Sequence, residues 1–147
     1  MDALQPPVDF DRDLLIEICG KLRVRRLVLF GSRATGSPPP DQDSDLDLAI
    51  SLDAPAPRGS FSDYFVELGR VFPGHSLDLA FLADADPLFR WEVVRDGVLL
   101  WGDEVEFLEY RAFAFRDFVD SADLRALERR LSEVKLRLIR RRLNAAA

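Results

Sequence analysis

Cysteine and histidine are nearly absent from this 147-residue sequence, which contains one of each, Cys19 and His75. A single cysteine cannot form a disulfide within the chain, and the pair cannot supply the four ligands of a structural zinc site. Metal binding by one chain would therefore depend on carboxylates. The sequence also lacks the Gly-Lys-Ser or Gly-Lys-Thr of a P-loop and a glycine-rich dinucleotide fingerprint, which excludes both of those nucleotide sites.

Long hydrophobic runs are missing as well. Residues 27–30 and 98–101 form apolar runs far shorter than the ~20 residues of a membrane span, and the N-terminal region lacks the basic and apolar parts of a signal peptide. We therefore expect a cytoplasmic protein with no membrane partner. The net charge of −6 argues against nucleic-acid binding by the molecule as a whole.

The composition, 48% hydrophobic and 31% charged, is that of one globular domain. Hydrophobic periodicity predicts helices over 11–22, 61–72 and 87–95, and strands over 26–30, 45–52, 76–82 and 98–101. A proline-rich loop separates the first two strands. We expect an α/β (α+β) domain with a small mixed sheet, helices on one side of the sheet, and a face bearing carboxylates open to solvent.

The C-terminal region contains neither proline nor glycine from 105 to 143 and predicts a long helix, broken near Ser121, whose side chain would cap the second segment. Its apolar residues follow three- and four-residue spacing at Leu124, Leu127, Leu131, Val134 and Leu138. Packing on its own domain and pairing with a partner helix both explain this spacing. We divide the chain into a core domain at 1–103, a helical extension of that domain at 104–143 and a tail at 144–147.

Three acidic residues stand out in the predicted strands. The two-residue period of a strand places Asp45 and Asp47 on one face, with the alternating leucines turned to the core. Carboxylates held this close repel each other, so a divalent cation such as Mg²⁺ would stabilise them. If the strand containing Asp78 lies beside this one, a third carboxylate joins them, which is enough for two metal ions. The turn at Gly31 and Ser32 could in addition hold a phosphate.

In this order, Gly31-Ser32, Asp45-x-Asp47 and a later lone Asp78 resemble the signature of polymerase-β-like nucleotidyltransferases. More narrowly, residues 30–50, 78–87 and 95–101 resemble the minimal nucleotidyltransferase (MNT) family, and the resemblance covers roughly 11–120. Family members with such a helical C-terminal region are antitoxins paired with HEPN-domain toxins. The segment 33–44 is a couple of residues longer than is usual in the family and carries three consecutive prolines, 38–40.

The resemblance implies the polymerase-β-like fold and a Mg²⁺-dependent transfer of AMP from ATP to a hydroxyl, a tyrosine of a HEPN toxin. Gly31 and Ser32 would hold the triphosphate. Arg33 would neutralise a phosphate or be a solvated loop charge. The catalytic residues would be Asp45, Asp47 and Asp78, and the same three would be the metal ligands. Asp78 would also favour deprotonation of the attacking hydroxyl.

Two other functions compete with this one. An antitoxin could neutralise its partner by binding alone, with no catalysis, and a nucleotidyltransferase of this size could modify a small molecule if a second subunit supplied the acceptor site. Homo-oligomerisation is left open. The basic residues between 125 and 142 form either a solvated face or a surface for an acidic partner, and contact with RNA is the less favoured alternative. His75 is expected in a turn, and Cys19 in the core.

Overall fold

The computed structural model describes residues 7–56 and 60–146, in which four strands and six α-helices alternate. The strands are β1 (Val24–Phe30), β2 (Leu46–Leu52), β3 (Leu77–Phe81) and β4 (Val98–Trp101). The helices are α1 (Arg12–Lys21), α2 (Ser32–Thr35), α3 (Phe61–Val71), α4 (Pro87–Asp96), α5 (Glu104–Asp120) and α6 (Ala122–Ala145). Every predicted strand and helix is present. None of the helices in these ranges has the length and apolarity needed to cross a membrane.

The four strands form one mixed sheet in the order β3-β2-β1-β4. Strand β1 is antiparallel to both β2 and β4, whereas β2 and β3 are parallel. This confirms the mixed α+β sheet expected from the sequence and the condition that β3 lies beside β2. The parallel register places Asp78 directly opposite Asp47.

One face of the sheet is covered by α1 and α3. Leu46, Leu48 and Ile50 of β2 all point to this face and are fully buried. Cys19 of α1 lies in the same core, as expected, and its burial raises the pKa of the thiol to about 12. Alternation along β2 therefore sends its leucines inward and its aspartate, Asp47, to the opposite face.

The opposite face is covered in part by α4 and α5, so the prediction of helices on one side only is wrong. Val28 of β1 and Ala49 of β2 are paired across the two strands and are fully buried against these helices. Both faces are apolar at the middle of the sheet, and each needs a covering layer. Arg90 of α4 donates to the Asp117 carboxylate of α5 at 2.7 Å, which links the two helices.

Aspartate side chains cap the N-termini of three helices, whereas α6 begins without a side-chain cap. The carboxylates of Asp11, Asp86 and Asp103 each accept a backbone N–H in the first turn of α1, α4 and α5. Ser121 occupies the N-cap position of α6, as predicted, but its side chain makes no capping hydrogen bond. Its hydroxyl donates backwards to the carbonyl of Phe118, because the residue itself has a nearly helical backbone (φ −86°, ψ 5°) that aims the side chain at the preceding turn.

Candidate active site

The first element of the site is the turn between β1 and α2. Gly31 has φ of +71°, a backbone conformation that glycine adopts without strain. A Cβ added at this position would lie 2.1 Å from Oδ2 of Asp47, so only the absence of a side chain allows the turn to pass this close to the carboxylate. Ser32 begins α2 at this turn and is partly exposed. The structure thus places Gly31 and Ser32 directly beside the predicted acidic residues.

The second element is a group of three carboxylates at the end of the sheet where β2 and β3 begin; we call it the acidic edge, Asp45, Asp47 and Asp78. Asp47 and Asp78 are register partners on parallel strands. Asp45 precedes β2 by one residue and is exposed, as is Asp78, whereas Asp47 is partly buried. The three residues predicted from the sequence are therefore brought to one place.

The charges of the acidic edge act on one another. Burial raises the pKa of the Asp47 carboxyl above its ordinary value, and the negative charges of Asp78 and Asp45 raise this pKa further. Because the ionised form of Asp47 is disfavoured in this setting, positive charge placed at the edge would stabilise the folded chain. The edge is thus poised electrostatically to receive a cation.

The chemistry of the acidic edge fits a hard divalent cation, since carboxylate oxygens are the ligands that Mg²⁺ and Mn²⁺ prefer in proteins. Across residues 7–56 and 60–146, no group of three or more His, Cys, Asp and Glu side chains is arranged to hold a metal ion. The fit thus rests on the kind of donors and on the repulsion that raises the pKa of Asp47.

The third element is the loop that joins α2 to β2. The guanidinium of Arg33 donates to the carbonyl of Ser44 through Nε (2.9 Å) and Nη2 (2.7 Å), and Nη2 also donates to the carbonyl of Asp41 at 2.9 Å. These three hydrogen bonds hold the end of the proline-rich loop against α2. A phosphate-binding role for Arg33 stays a prediction, and the structure gives this side chain a second role as a clamp on the loop.

The loop carries a further interaction that sequence reasoning missed. Oδ1 of Asp41 accepts hydrogen bonds from the backbone N–H of Asp43 and from the hydroxyl of Ser44, both at 3.0 Å. The side chain of Asp41 therefore shapes the turn that leads to Asp45 at the start of β2. An aspartate whose side chain accepts the N–H two residues on forms a known turn, the Asx turn, but the sequence alone did not distinguish Asp41 from the neighbouring acidic residues.

Two aromatic residues connect the site to α4. Phe30 is the register partner of Asp47 on β1, and its ring packs edge-on against Phe89 with centroids 5.7 Å apart. This contact brings the N-terminal part of α4 beside the acidic edge.

His75 lies in the turn before β3, as expected, where its backbone N–H donates to the carbonyl of Phe72.

Comparison of the sequence with known protein families identifies the family to which the chain belongs. The sequence matches the family described as polymerase beta, nucleotidyltransferase, over residues 14–106, which include Gly31, Ser32 and the acidic edge. The chain belongs to this family of nucleotidyltransferases. No curated protein sequence matches the chain. The family match ends at the first residues of α5, so α6 lies outside it.

Solved structures show the same fold for this nucleotidyltransferase. A chain of a toxin–antitoxin structure with AMP-PNP has a TM-score of 0.67 and 18% identity, over 83% of this chain and 98% of that chain. A chain from a structure of a tri-AMPylated HEPN toxin in complex with an MNT antitoxin, from Shewanella oneidensis, has a TM-score of 0.62 and 17% identity, over 82% and 95%. At this identity the likeness establishes the fold alone.

Proposed function

We propose that the chain is a Mg²⁺-dependent protein adenylyltransferase that transfers AMP from ATP to a hydroxyl, a tyrosine, of a HEPN-domain toxin and thereby acts as its antitoxin. The observation that carries the proposal is the register pairing of Asp47 with Asp78, together with the close approach of the Asp47 carboxylate to the turn at Gly31. This arrangement sets carboxylates for cations beside a backbone turn that can approach a phosphate closely.

The reaction requires the acceptor oxygen to form a bond with the α-phosphorus of ATP while the bond to the β-phosphate breaks and pyrophosphate leaves. Two magnesium ions bound by Asp45, Asp47 and Asp78 would supply the positive charge that such a transfer needs. In our proposal the turn at Gly31 and Ser32 orients the triphosphate through backbone N–H groups and the serine hydroxyl. Asp78, an exposed member of the edge, would favour loss of the proton from the acceptor hydroxyl.

The proposed nucleotide and partner are supported by two structures of similar fold. One of the similar structures contains AMP-PNP, and another contains a tri-AMPylated HEPN toxin with an MNT antitoxin. Together with the family membership of this chain and its intact acidic edge, they favour AMP transfer to a toxin over modification of a small molecule.

A direct assay tests the proposal. The purified chain, labelled ATP, Mg²⁺ and the HEPN protein encoded by a neighbouring reading frame should give label on the HEPN protein. The double variant Asp45→Asn/Asp47→Asn should lose this transfer and remain folded, because the change removes repulsion and leaves the buried face of β2 untouched. The matched control is Asp63→Asn, an exposed carboxylate of α3. Transfer by the double variant at the wild-type rate would refute the assignment of the site.

Catalysis and simple binding are separated by stoichiometry. An enzyme turns over, so a tenth of an equivalent of the chain should protect most of the toxin's target when ATP is present and little of it when ATP is absent. A non-catalytic antitoxin protects only in proportion to its amount, with or without ATP. Equal and proportional protection under both conditions would replace the enzymatic proposal with the binding one.

A further inference from the structure

The longest helix of the molecule covers none of its core. Within the described chain, no residue of α6 is buried, although the helix has 24 residues. Its predicted apolar stripe, which we call the α6 seam, remains exposed to between 43% and 59%: Leu124, Leu127, Leu131, Val134 and Leu138. A helix of this length with a continuous exposed stripe has the form of one half of a helix pair.

The seam points away from the helix's own domain. The face of α6 that borders α4 and α5 includes Arg125, Arg129, Ser132 and Leu136, which line a groove with Phe118. At 100° per residue, the centre of the seam is rotated about 150° from the centre of this face. Packing on its own domain, one of the two explanations of the spacing, therefore does not account for the seam.

The seam follows a heptad repeat, because its residues alternate three and four positions apart. In such a repeat the residues that flank the stripe face the flanking residues of a partner helix. The flanking residues of the seam are, on one side, Asp123, Arg130 and Arg137 and, on the other, Glu128, Lys135 and Arg142. The C-terminal two thirds of the seam is thus bordered by basic residues only.

These charges disfavour pairing of α6 with a second copy of itself. In a parallel pair each flanking residue meets the residue five positions later in the partner helix. The resulting pairs are all of like charge: Asp123 with Glu128, Arg130 with Lys135, and Arg137 with Arg142. In an antiparallel pair centred on Leu131 and Val134, attraction between Glu128 and Lys135 is offset by repulsion between Arg130 and Arg137.

We propose that the α6 seam docks an amphipathic helix of a different protein whose apolar stripe is flanked by acidic residues opposite Arg130, Lys135, Arg137 and Arg142. Such a partner turns all four basic flanks into pairs of opposite charge, and its apolar stripe covers the exposed leucines. This inference deepens the proposed function, on which it rests, since it assigns the acidic helix to the toxin that the chain would modify. The docking surface is separate in sequence from the acidic edge.

Binding of synthetic helices tests the charge preference of the seam. The full chain is titrated with a fluorescent peptide of about four heptads, with leucine along the stripe and glutamate at every flanking position, and with a twin in which lysine replaces glutamate. The acidic peptide should bind, and its lysine twin should bind at least roughly tenfold more weakly, since four surface pairs change from attractive to repulsive. Added salt should weaken binding of the acidic peptide more than binding of its lysine twin, because it screens the attraction between opposite charges.

Matched variants assign that binding to the seam. Leu131→Gln/Leu138→Gln removes two seam side chains and should abolish binding of the acidic peptide. Leu136→Gln/Leu143→Gln removes two exposed leucines from the opposite side of α6 and should leave binding unchanged, with helix content checked by circular dichroism in both cases. The charge exchange Arg130→Glu/Arg137→Glu should narrow or reverse the preference between the two peptides.

The same variants test whether the α6 seam binds the proposed partner, the HEPN protein. The seam variant should lose the complex with the HEPN protein and retain ATP binding, whereas the control variant keeps both. Failure of the wild-type chain to label the HEPN protein would count against the proposed function alone. The docking inference is overturned if both peptides bind equally, if the seam variant binds as the wild type does, if the seam instead drives self-association in sedimentation, or if it binds only anionic lipid vesicles.

Discussion

Gly31 and Gly36 share a positive φ, +71° and +73°, but Gly36 has the left-handed helical backbone (ψ 9°) and Gly31 an extended one (ψ −158°), and only Gly31 has a carboxylate against it. A Cβ at position 36 would meet nothing within 4 Å. Alanine at position 36 should cost about 1–2 kcal/mol of folding free energy because of the left-handed backbone. Alanine at position 31 should cost about 1–3 kcal/mol, because its backbone region is nearly restricted to glycine. Gly31→Ala should in addition displace the Asp47 carboxylate and so abolish AMP transfer, while Gly36→Ala remains active.

Urea unfolding and the labelling assay measure both effects for this pair of variants. Because the two backbone conformations differ, activities are compared under conditions in which urea unfolding shows both variants to be folded, and loss of transfer by folded Gly31→Ala then reports the contact with Asp47. Equal activity of the two variants would show that the close approach at position 31 has no part in the reaction.

Asp47→Asn should stabilise the chain at neutral pH in the absence of divalent cations. Because the pKa of Asp47 is raised in the folded state, the folded chain holds this proton more tightly than the unfolded chain does. Wild-type stability from this group is therefore present below the ordinary aspartate pKa and is lost as the pH rises through the folded pKa. The variant cannot lose it, so its advantage should grow from acid to neutral pH.

Denaturation at a series of pH values checks this expectation, with Asp63→Asn as the control. Addition of Mg²⁺ should then raise the stability of the wild type at neutral pH and leave Asp47→Asn nearly unchanged, because a bound cation offsets the same repulsion. A variant that is less stable than wild type across the whole range would contradict the electrostatic account of the acidic edge.

Ser32→Ala should weaken ATP binding without unfolding the chain. A hydrogen bond from a hydroxyl to a charged phosphate contributes about 1.5–3 kcal/mol, which corresponds to a roughly tenfold to more than hundredfold change in affinity. Calorimetric titration with ATP and Mg²⁺ measures this change. The control is Ser62→Ala, at an exposed position of α3. An unchanged dissociation constant for Ser32→Ala would remove this residue from the proposed site.

Arg33→Lys separates charge from geometry at the loop. Lysine keeps the positive charge but cannot donate to the carbonyls of Ser44 and Asp41 in the same fork. We expect faster hydrogen exchange or proteolysis over residues 37–44 and weaker ATP binding, since the loop leads into Asp45. If lysine preserves both loop protection and ATP affinity, the charge of Arg33 and not its clamp is what the site requires.

Much of the site was accessible from the sequence because its signals are local. Alternation along β2 fixed the face of Asp47, and placement of the strand of Asp78 beside β2 was the condition for a third carboxylate to join it. The register then confirmed that placement. The turn at Gly31 was also recognisable, although its dependence on the position of the Asp47 carboxylate was not.

The features that escaped the sequence depend on distant partners or on the direction of one side chain. Helices α4 and α5 cover the second face of the sheet because Val28 and Ala49 pair there and form an apolar surface. This pairing joins two strands and cannot be recognised from either strand alone. The orientation of the Ser121 hydroxyl depends on the backbone angles at the junction of α5 and α6. The clamp formed by Arg33 joins residues eight and eleven positions apart across an irregular loop.

The burial of Cys19 makes the chain convenient for site-specific spectroscopy. The side chain is inaccessible to solvent, and its raised pKa of about 12 leaves almost no thiolate at neutral pH. Maleimide and iodoacetamide reagents should therefore not react with it. A second cysteine introduced at an exposed residue of α6, such as Glu133, would then react alone in an otherwise native sequence. Dyes or spin labels could report distances and mobility along that helix without first removing the natural thiol.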